Sequence, residues 1–141
     1  MKQWHDYTGE DVTIVVCAYK ECQYLENCIR SLKKQTVKTH IIISTSTPNE
    51  FIFQLAKKYQ LEVHINPEGG HVNDYNFALK QVKTKLGIMA HQDDLLQKQF
   101  VEKSLQALNR AKRPIIAFTN YKEIHGEKLD KKDSAMVKIK R

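Results

Sequence analysis

Val12-Thr13-Ile14-Val15-Val16-Cys17-Ala18 is a near-continuous β-branched run with no polar alternation. A strand wetted on one face alternates, whereas one covered on both faces does not, so this run predicts a strand inside a parallel sheet. The sequence on its C-terminal side agrees. Leu25, Cys28, Ile29 and Leu32 recur at helical i, i+3, i+4, i+7 spacing, and Ile41-Ile42-Ile43 is a second buried strand. Thr47 at the N-cap, Pro48 at N1 and Glu50 at N3 form a capping box before a helix with Phe51, Ile52, Leu55 and Tyr59 on its apolar face.

Leu61 to Ile65 is a short third strand closed by Asn66-Pro67 and Gly69-Gly70. A helix over about 72–83 puts Tyr75, Ala78, Leu79 and Val82 on one side. Leu86 to Ala90 is a fourth strand, Phe100, Val101, Leu105 and Leu108 define a further helix, and Pro114 to Tyr121 is a fifth strand. The β-α alternation predicts an α/β, Rossmann-like domain over residues 1–126, its mostly parallel sheet carrying helices on both faces. A tail follows over 127–141.

Composition bounds the function. With 141 residues, 41% hydrophobic and 28% charged, the chain is one ordinary globular domain. No apolar run approaches the roughly 20 residues that span a bilayer. Met1-Lys2-Gln3-Trp4-His5-Asp6 has no apolar stretch behind a basic start, so no secretory leader is expected and the cytoplasm is the default compartment. His5 is expected at a frayed terminus. Cys17, Cys22 and Cys28 lack Cys-x-x-Cys spacing and read as free thiols. The net charge is +7, and residues 127–141 hold six Lys/Arg against three Asp/Glu. That tail reads as solvated or disordered, or as resting peripherally on the inner face of an anionic membrane or on an RNA backbone. No motif or aromatic-basic stripe points to nucleic acid.

In open parallel sheets ligands bind beyond the carboxyl ends of the strands. Tyr19-Lys20-Glu21, Ser44-Thr45-Ser46, residues 66–76 and His91-Gln92-Asp93-Asp94 should therefore share one rim. The last stretch sets an imidazole and two carboxylates just past a buried strand. Hard divalent ions such as Mn²⁺ or Mg²⁺ take carboxylate oxygens and share themselves with substrate phosphates. Asp94, with Gln97 three residues on, reads equally well as a helix cap. Asp93, which such a cap leaves unused, reads as a metal ligand. His71, beside Gly69-Gly70, fits either a phosphate contact or an exposed loop.

Taken in order, these segments resemble family 2 glycosyltransferases of the GT-A fold over nearly the whole chain. Residues 12–20 are similar to that family's opening strand and its Tyr-Asn-type turn, and Tyr24 to Leu32 with Gln35-Thr36 to its first helix. Asn66-Pro67-Glu68-Gly69-Gly70 to Asn76-Phe77-Ala78-Leu79 is similar to its Asn-x-Gly-Gly segment, and Phe118-Thr119-Asn120-Tyr121 to its following strand. Leu86 to Asp94 stands where the family carries its DxD metal motif.

The resemblance implies transfer of a sugar from a nucleotide diphosphate to a glycan or lipid-linked acceptor, as in cell-surface polysaccharide synthesis. It places Cys17, Tyr19, Glu21, Ser44 and Thr45 about the nucleoside. Gly70, Asn73 and Asn76 fall near ribose or diphosphate, Asn73 and Asn76 reading also as caps. Asp93 holds the Mn²⁺ or Mg²⁺, with His91 and Asp94 as neighbours or further ligands.

Three departures qualify it. Ser44 to Pro48 lacks a carboxylate that grips the base, His91 replaces the first DxD aspartate, and the sequence ends 47 residues after Asp94. The acceptor-binding half and the general base are accordingly expected beyond Arg141, where Met136-Val137-Lys138-Ile139 looks like an element beginning. Glu123, Glu127, Asp130 and Asp133 read as solvated. A catalytically incomplete nucleotide-sugar-binding module stands beside a working enzyme. Ala90-His91-Gln92-Asp93-Asp94 also resembles the Ala-His-Pro-Asp-Asp motif of zinc-dependent sugar N-deacetylases, but it follows the fourth strand, and only His125 comes after it.

Overall fold

The computed structural model describes residues 1–125 and 128–129. Four parallel strands, β1 (Val12–Ala18), β2 (His40–Thr45), β3 (Glu62–Ile65) and β4 (Leu86–His91), form one sheet in the order β3-β2-β1-β4. Helices α1 (Leu25–Lys33), α2 (Glu50–Tyr59) and α3 (His71–Lys80) connect them, and α4 (Phe100–Arg110) follows β4. This is the α/β, Rossmann-like architecture that the alternation predicts.

β1 is central because its side chains are apolar in both directions. Val12, Ile14, Val16 and Ala18 meet Ile43 and Ala90 in a core closed by Leu25, Ile29 and Leu32 of α1, Ile52 and Leu55 of α2, and Val101 and Leu105 of α4. Paired residues of a parallel sheet point the same way, and the register sets Ile14 beside Ile41 and Ile88. The odd-numbered residues of β1 face α3, where Val15 and Ala78 are fully buried. Burying one such Val, Leu or Ile side chain contributes about 1.5–3 kcal/mol, so the sheet's two covered faces dominate stability.

Gln35 is a polar side chain built deep into the helix layer, 4% exposed. Its Nε2 donates to the carbonyls of Gln97 (2.8 Å) and Ser31 (3.3 Å), and its Oε1 accepts from the Val101 N–H at the start of α4 (3.0 Å). A primary amide fits there because its two N–H donors and its carbonyl oxygen serve all three partners at once.

Several local expectations are corrected. The N-cap of α2 is Asn49, whose side chain accepts from Ile52 N–H at 3.0 Å; the Thr47 hydroxyl is already engaged by the Lys20 N–H. Asp94 caps nothing, because α4 starts only at Phe100. Leu79 faces outward, 49% exposed, so the buried face of α3 turns on Ala78.

His5 is not frayed. It stacks on Tyr7 with ring centroids 5.1 Å apart, and the N–H groups of Trp4 and His5 donate to the Asn109 carbonyl at 2.8 and 3.2 Å. Residues 114–121 do not form the fifth strand. A β-branched run supplies strand capacity, but a strand exists only as part of a ladder, and residues 114–121 take no place in either sheet of the described residues. Ile115 and Ile116 lie 98% and 65% exposed. Beyond α4 the described residues pair in a short antiparallel ladder, β5 (Ile124–His125) with β6 (Lys128–Leu129). Glu127, Asp130, Asp133 and Met136 to Ile139 lie outside the described residues.

Candidate donor-binding cleft

The register that buries β1 also builds the site. Cys17 pairs with Ser44 on one side and His91 on the other, so Ser44, Cys17 and His91 form one row across the carboxyl ends of β2, β1 and β4. The start of α3 crosses above that row with Gly70, His71, Asp74 and Tyr75, leaving a cleft of about 530 Å³ between them. Tyr19, Gln92 and Asp93 complete its rim. The Tyr75 hydroxyl lies 3.3 Å from His91 Nδ1, and the Tyr75 ring sits edge-on to both His71 and His91.

The loops around the cleft are fixed by specific bonds. Gly69 (φ 64°) and Gly70 (φ 97°) turn the chain from β3 into α3 through conformations that residues bearing a Cβ rarely adopt. Asp74, one turn in, accepts from Ser46 Oγ at 2.9 Å and from Nδ2 of the buried Asn66 at 2.8 Å, tying the ends of β2 and β3 to α3. Gln92 holds the rim on the other side. Its Oε1 accepts from the Tyr19 N–H (2.9 Å) and its Nε2 donates to the Tyr19 carbonyl (3.2 Å). Lys20, next to Tyr19, is held at φ 53°. Strain at a non-glycine residue gathers at functional loops.

The cleft is acidic. Among the described residues its lining carries the carboxylates of Asp74 and Asp93 and no Lys or Arg. Burial, and then the charge of Asp74, push the Cys17 thiol up to about 11. Tyr75 is raised by burial first and then by Cys17, Asp93, Asp74 and Asp94. The thiol and phenol thus stay neutral near pH 7 and serve as weak hydrogen-bonding groups rather than nucleophiles.

His91 to Asp94 closes as a tight turn, with the Asp94 N–H donating to the His91 carbonyl at 3.0 Å. The turn puts Asp93 on the cleft wall and leaves Asp94 exposed outside the lining. Among the described residues no group of three His, Cys, Asp or Glu converges on a common point. The zinc-deacetylase reading, which needs a convergent His/Asp set, has no support there. The donor set does fit a hard divalent ion that takes one or two carboxylates and fills its remaining positions with phosphate oxygens and water.

Of the residues expected about the nucleotide, Cys17, Tyr19, Ser44 and Gly70 line the cleft. Thr45 does not; it is 2% exposed on the core side of the sheet, its hydroxyl accepting from the Thr47 N–H at 3.0 Å. Asn73 folds back on the Gly69 carbonyl (3.2 Å), and Glu21 and Asn76 are exposed away from the lining.

Sequence reasoning set residues 66–76 and 91–94 on the rim but gave Asp74, Tyr75 and Gln92 no role of their own, although all three line the cleft. Tyr75 was legible only as part of an apolar helix face. Asp74, on the first turn of α3 after the double glycine, carried the available signal.

The described residues include no helix long and apolar enough to cross a membrane. No curated protein sequence matches the chain. The family described as Glycosyl transferase family 2 matches it over residues 13–141, from the second residue of β1 through the turn that carries Asp93 and beyond. The parallel sheet, the cleft at its carboxyl edge and a match of that extent lead to one conclusion: the chain belongs to glycosyl transferase family 2.

Proposed function

We propose that the cleft binds a nucleotide-diphosphate sugar with a divalent ion and that the chain serves metal-assisted transfer of the sugar to an acceptor. One observation carries this reading. The lining has two carboxylates and no Lys or Arg among the described residues, so a diphosphate is repelled unless a cation enters with it.

Mn²⁺ or Mg²⁺, when bound, neutralises the diphosphate and makes it a better leaving group. Asp93 is the ligand on the cleft wall, and Asp94 and His91 stand beside it in the same turn. The Tyr75 hydroxyl orients the His91 ring. Tyr19, fixed at its backbone by Gln92, offers a half-exposed ring to the base. Ser44 and Cys17 offer the small polar groups of the floor, and the positive-φ glycines let the backbone approach phosphate closely.

The test is titration calorimetry with uridine, guanosine, adenosine and cytidine diphosphates, with and without Mn²⁺, on the wild type and Asp93→Ala. At least one nucleotide binds the wild type only with Mn²⁺, and Asp93→Ala weakens it by about tenfold or more at unchanged melting temperature. Equal affinity without metal, or in the variant, removes Asp93 and the ion from the site.

A further inference from the structure

Leu95, Leu96 and Lys98, which follow the Asp93-Asp94 turn, form a second concavity with α1, about 490 Å³ in volume. From α1 come Asn27, Arg30 and Ser31, and from its C-cap Lys34, continuing the i, i+3, i+4, i+7 stripe of one helix face. The groove is rigidly made. Leu96 N–H donates to Ser31 Oγ (3.1 Å), Gln35 Nε2 to the Gln97 carbonyl (2.8 Å), and Thr36 N–H to the Lys98 carbonyl (2.9 Å).

Its charge is one-sided. Arg30, Lys34 and Lys98 line it with no carboxylate, and none of the three makes an ion pair among the described residues. Arg30 in the last turn of α1 and Lys34 at its C-cap stand four apart, where like charges repel. Between these cations Leu95 is 53% exposed. Among the described residues no aromatic side chain lines the groove for a base to stack on.

We propose that this groove docks the chain on an anionic bilayer, with lipid phosphates against Arg30, Lys34 and Lys98 and Leu95 set among the headgroups. Because the loop runs unbroken from Asp93 in the cleft wall to Lys98 in the groove, docking holds the cleft's rim at the membrane surface. The groove shares no lining residue with the donor cleft among the described residues.

The test is co-sedimentation of the 141-residue chain with vesicles of phosphatidylcholine alone or with about 30% phosphatidylglycerol. The wild type sediments only with the anionic vesicles. Combining Arg30→Gln, Lys34→Gln and Lys98→Gln weakens partitioning about 100-fold, at about fivefold per cation. Leu95→Asn alone weakens it without changing charge.

A control combining Lys57→Gln, Lys80→Gln and Lys103→Gln, all exposed elsewhere, stays within about fivefold of wild type. Equal losses in the two triple variants, retained binding in the groove variant, or no wild-type binding overturns the proposal. So does displacement by inorganic phosphate at constant ionic strength, which would assign the groove to a free anion. Mn²⁺-dependent nucleotide binding by the groove variant reads the donor cleft separately, so either idea can fail alone.

Discussion

The side-chain amide of Gln92 clasps the backbone of Tyr19 in both directions, accepting from its N–H at 2.9 Å and donating to its carbonyl at 3.2 Å. Two loops 73 residues apart in sequence are thereby joined at the mouth of the cleft. One loop carries the exposed aromatic ring and the other carries Asp93. Gln92 has its effect through this placement.

Gln92→Ala is expected to separate affinity from stability. The Tyr19 groups it frees reach water, so the cost in folding is small, about 1 kcal/mol or less. Nucleotide-diphosphate affinity falls by about three- to tenfold because Tyr19 is no longer preorganised. Paired thermal melts and calorimetric titrations read the two quantities, and unaltered affinity would exclude the Tyr19 loop from the donor site.

Asp74 should behave in the opposite way. Its carboxylate satisfies the amide of Asn66, which is 5% exposed, and the hydroxyl of Ser46. Asp74→Ala leaves a buried donor without its acceptor, so stability drops by about 1–3 kcal/mol. Asp74→Asn keeps one acceptor oxygen and loses less. Urea unfolding of the two variants gives the ranking; equal losses would mean that the charge of Asp74, not its acceptor geometry, ties the strands to α3.

The fold was legible because burial on both faces forces an unbroken apolar strand, and 12–18, 41–43 and 86–90 show it directly. Residues 114–121 carry a similar pattern and misled for a physical reason: apolar β-branched content states what a segment can do, while the ladder partner decides what it does. The site was half legible. Tyr19, Ser44 and Asp93 reach the cleft lining by topology, since the carboxyl ends of adjacent parallel strands must meet, whereas Cys17 was expected there from the family resemblance. Gln92 and Asp74 act by hydrogen bonds to groups 73 and 8 residues away, and no local pattern encodes such partners. Thr45 adjoins Ser44 in sequence, but neighbours on a strand point to opposite faces, and the core side took Thr45.

Alkaline pH should weaken the fold through its buried thiols. Burial, reinforced by Asp94, Asp93 and Cys22, pushes Cys28 up to about 12, against an ordinary value of 9.0. Between those values the native thiol keeps a proton that the unfolded chain has released. Raising the pH therefore draws the equilibrium toward the unfolded state, and this contribution, intact below pH 9, is lost as pH approaches 12. The Cys28 Sγ–H also donates to the His91 carbonyl at 3.3 Å, so ionisation removes a bond at the end of β4. Melting temperature is expected to fall by about 5 °C or more from pH 9 to 11. Cys28→Ala, less stable at pH 7, should show a shallower fall; an identical slope would assign the effect to the lysines and tyrosines.

Gly9 gives the sharpest packing prediction, because what limits it is backbone. It is buried in the 3₁₀ turn Gly9–Asp11 that leads into β1. A Cβ built there would stand 1.9 Å from the Lys38 carbonyl oxygen and 2.6 Å from Val37 Cγ1. A valine methyl can rotate away, but the carbonyl belongs to the chain entering β2 and moves only with that strand. Because β1 and β2 are in register from Thr13 with His40 onward, any shift at Lys38 is transmitted to the pair that carries Cys17 and Ser44. Gly9→Ala should therefore cost about 1–3 kcal/mol in urea unfolding. It should also weaken nucleotide binding, although Gly9 lies at the opposite end of β1 from the cleft. A stability loss with unchanged affinity would show that the two strands absorb the strain before it reaches the Cys17–Ser44 row.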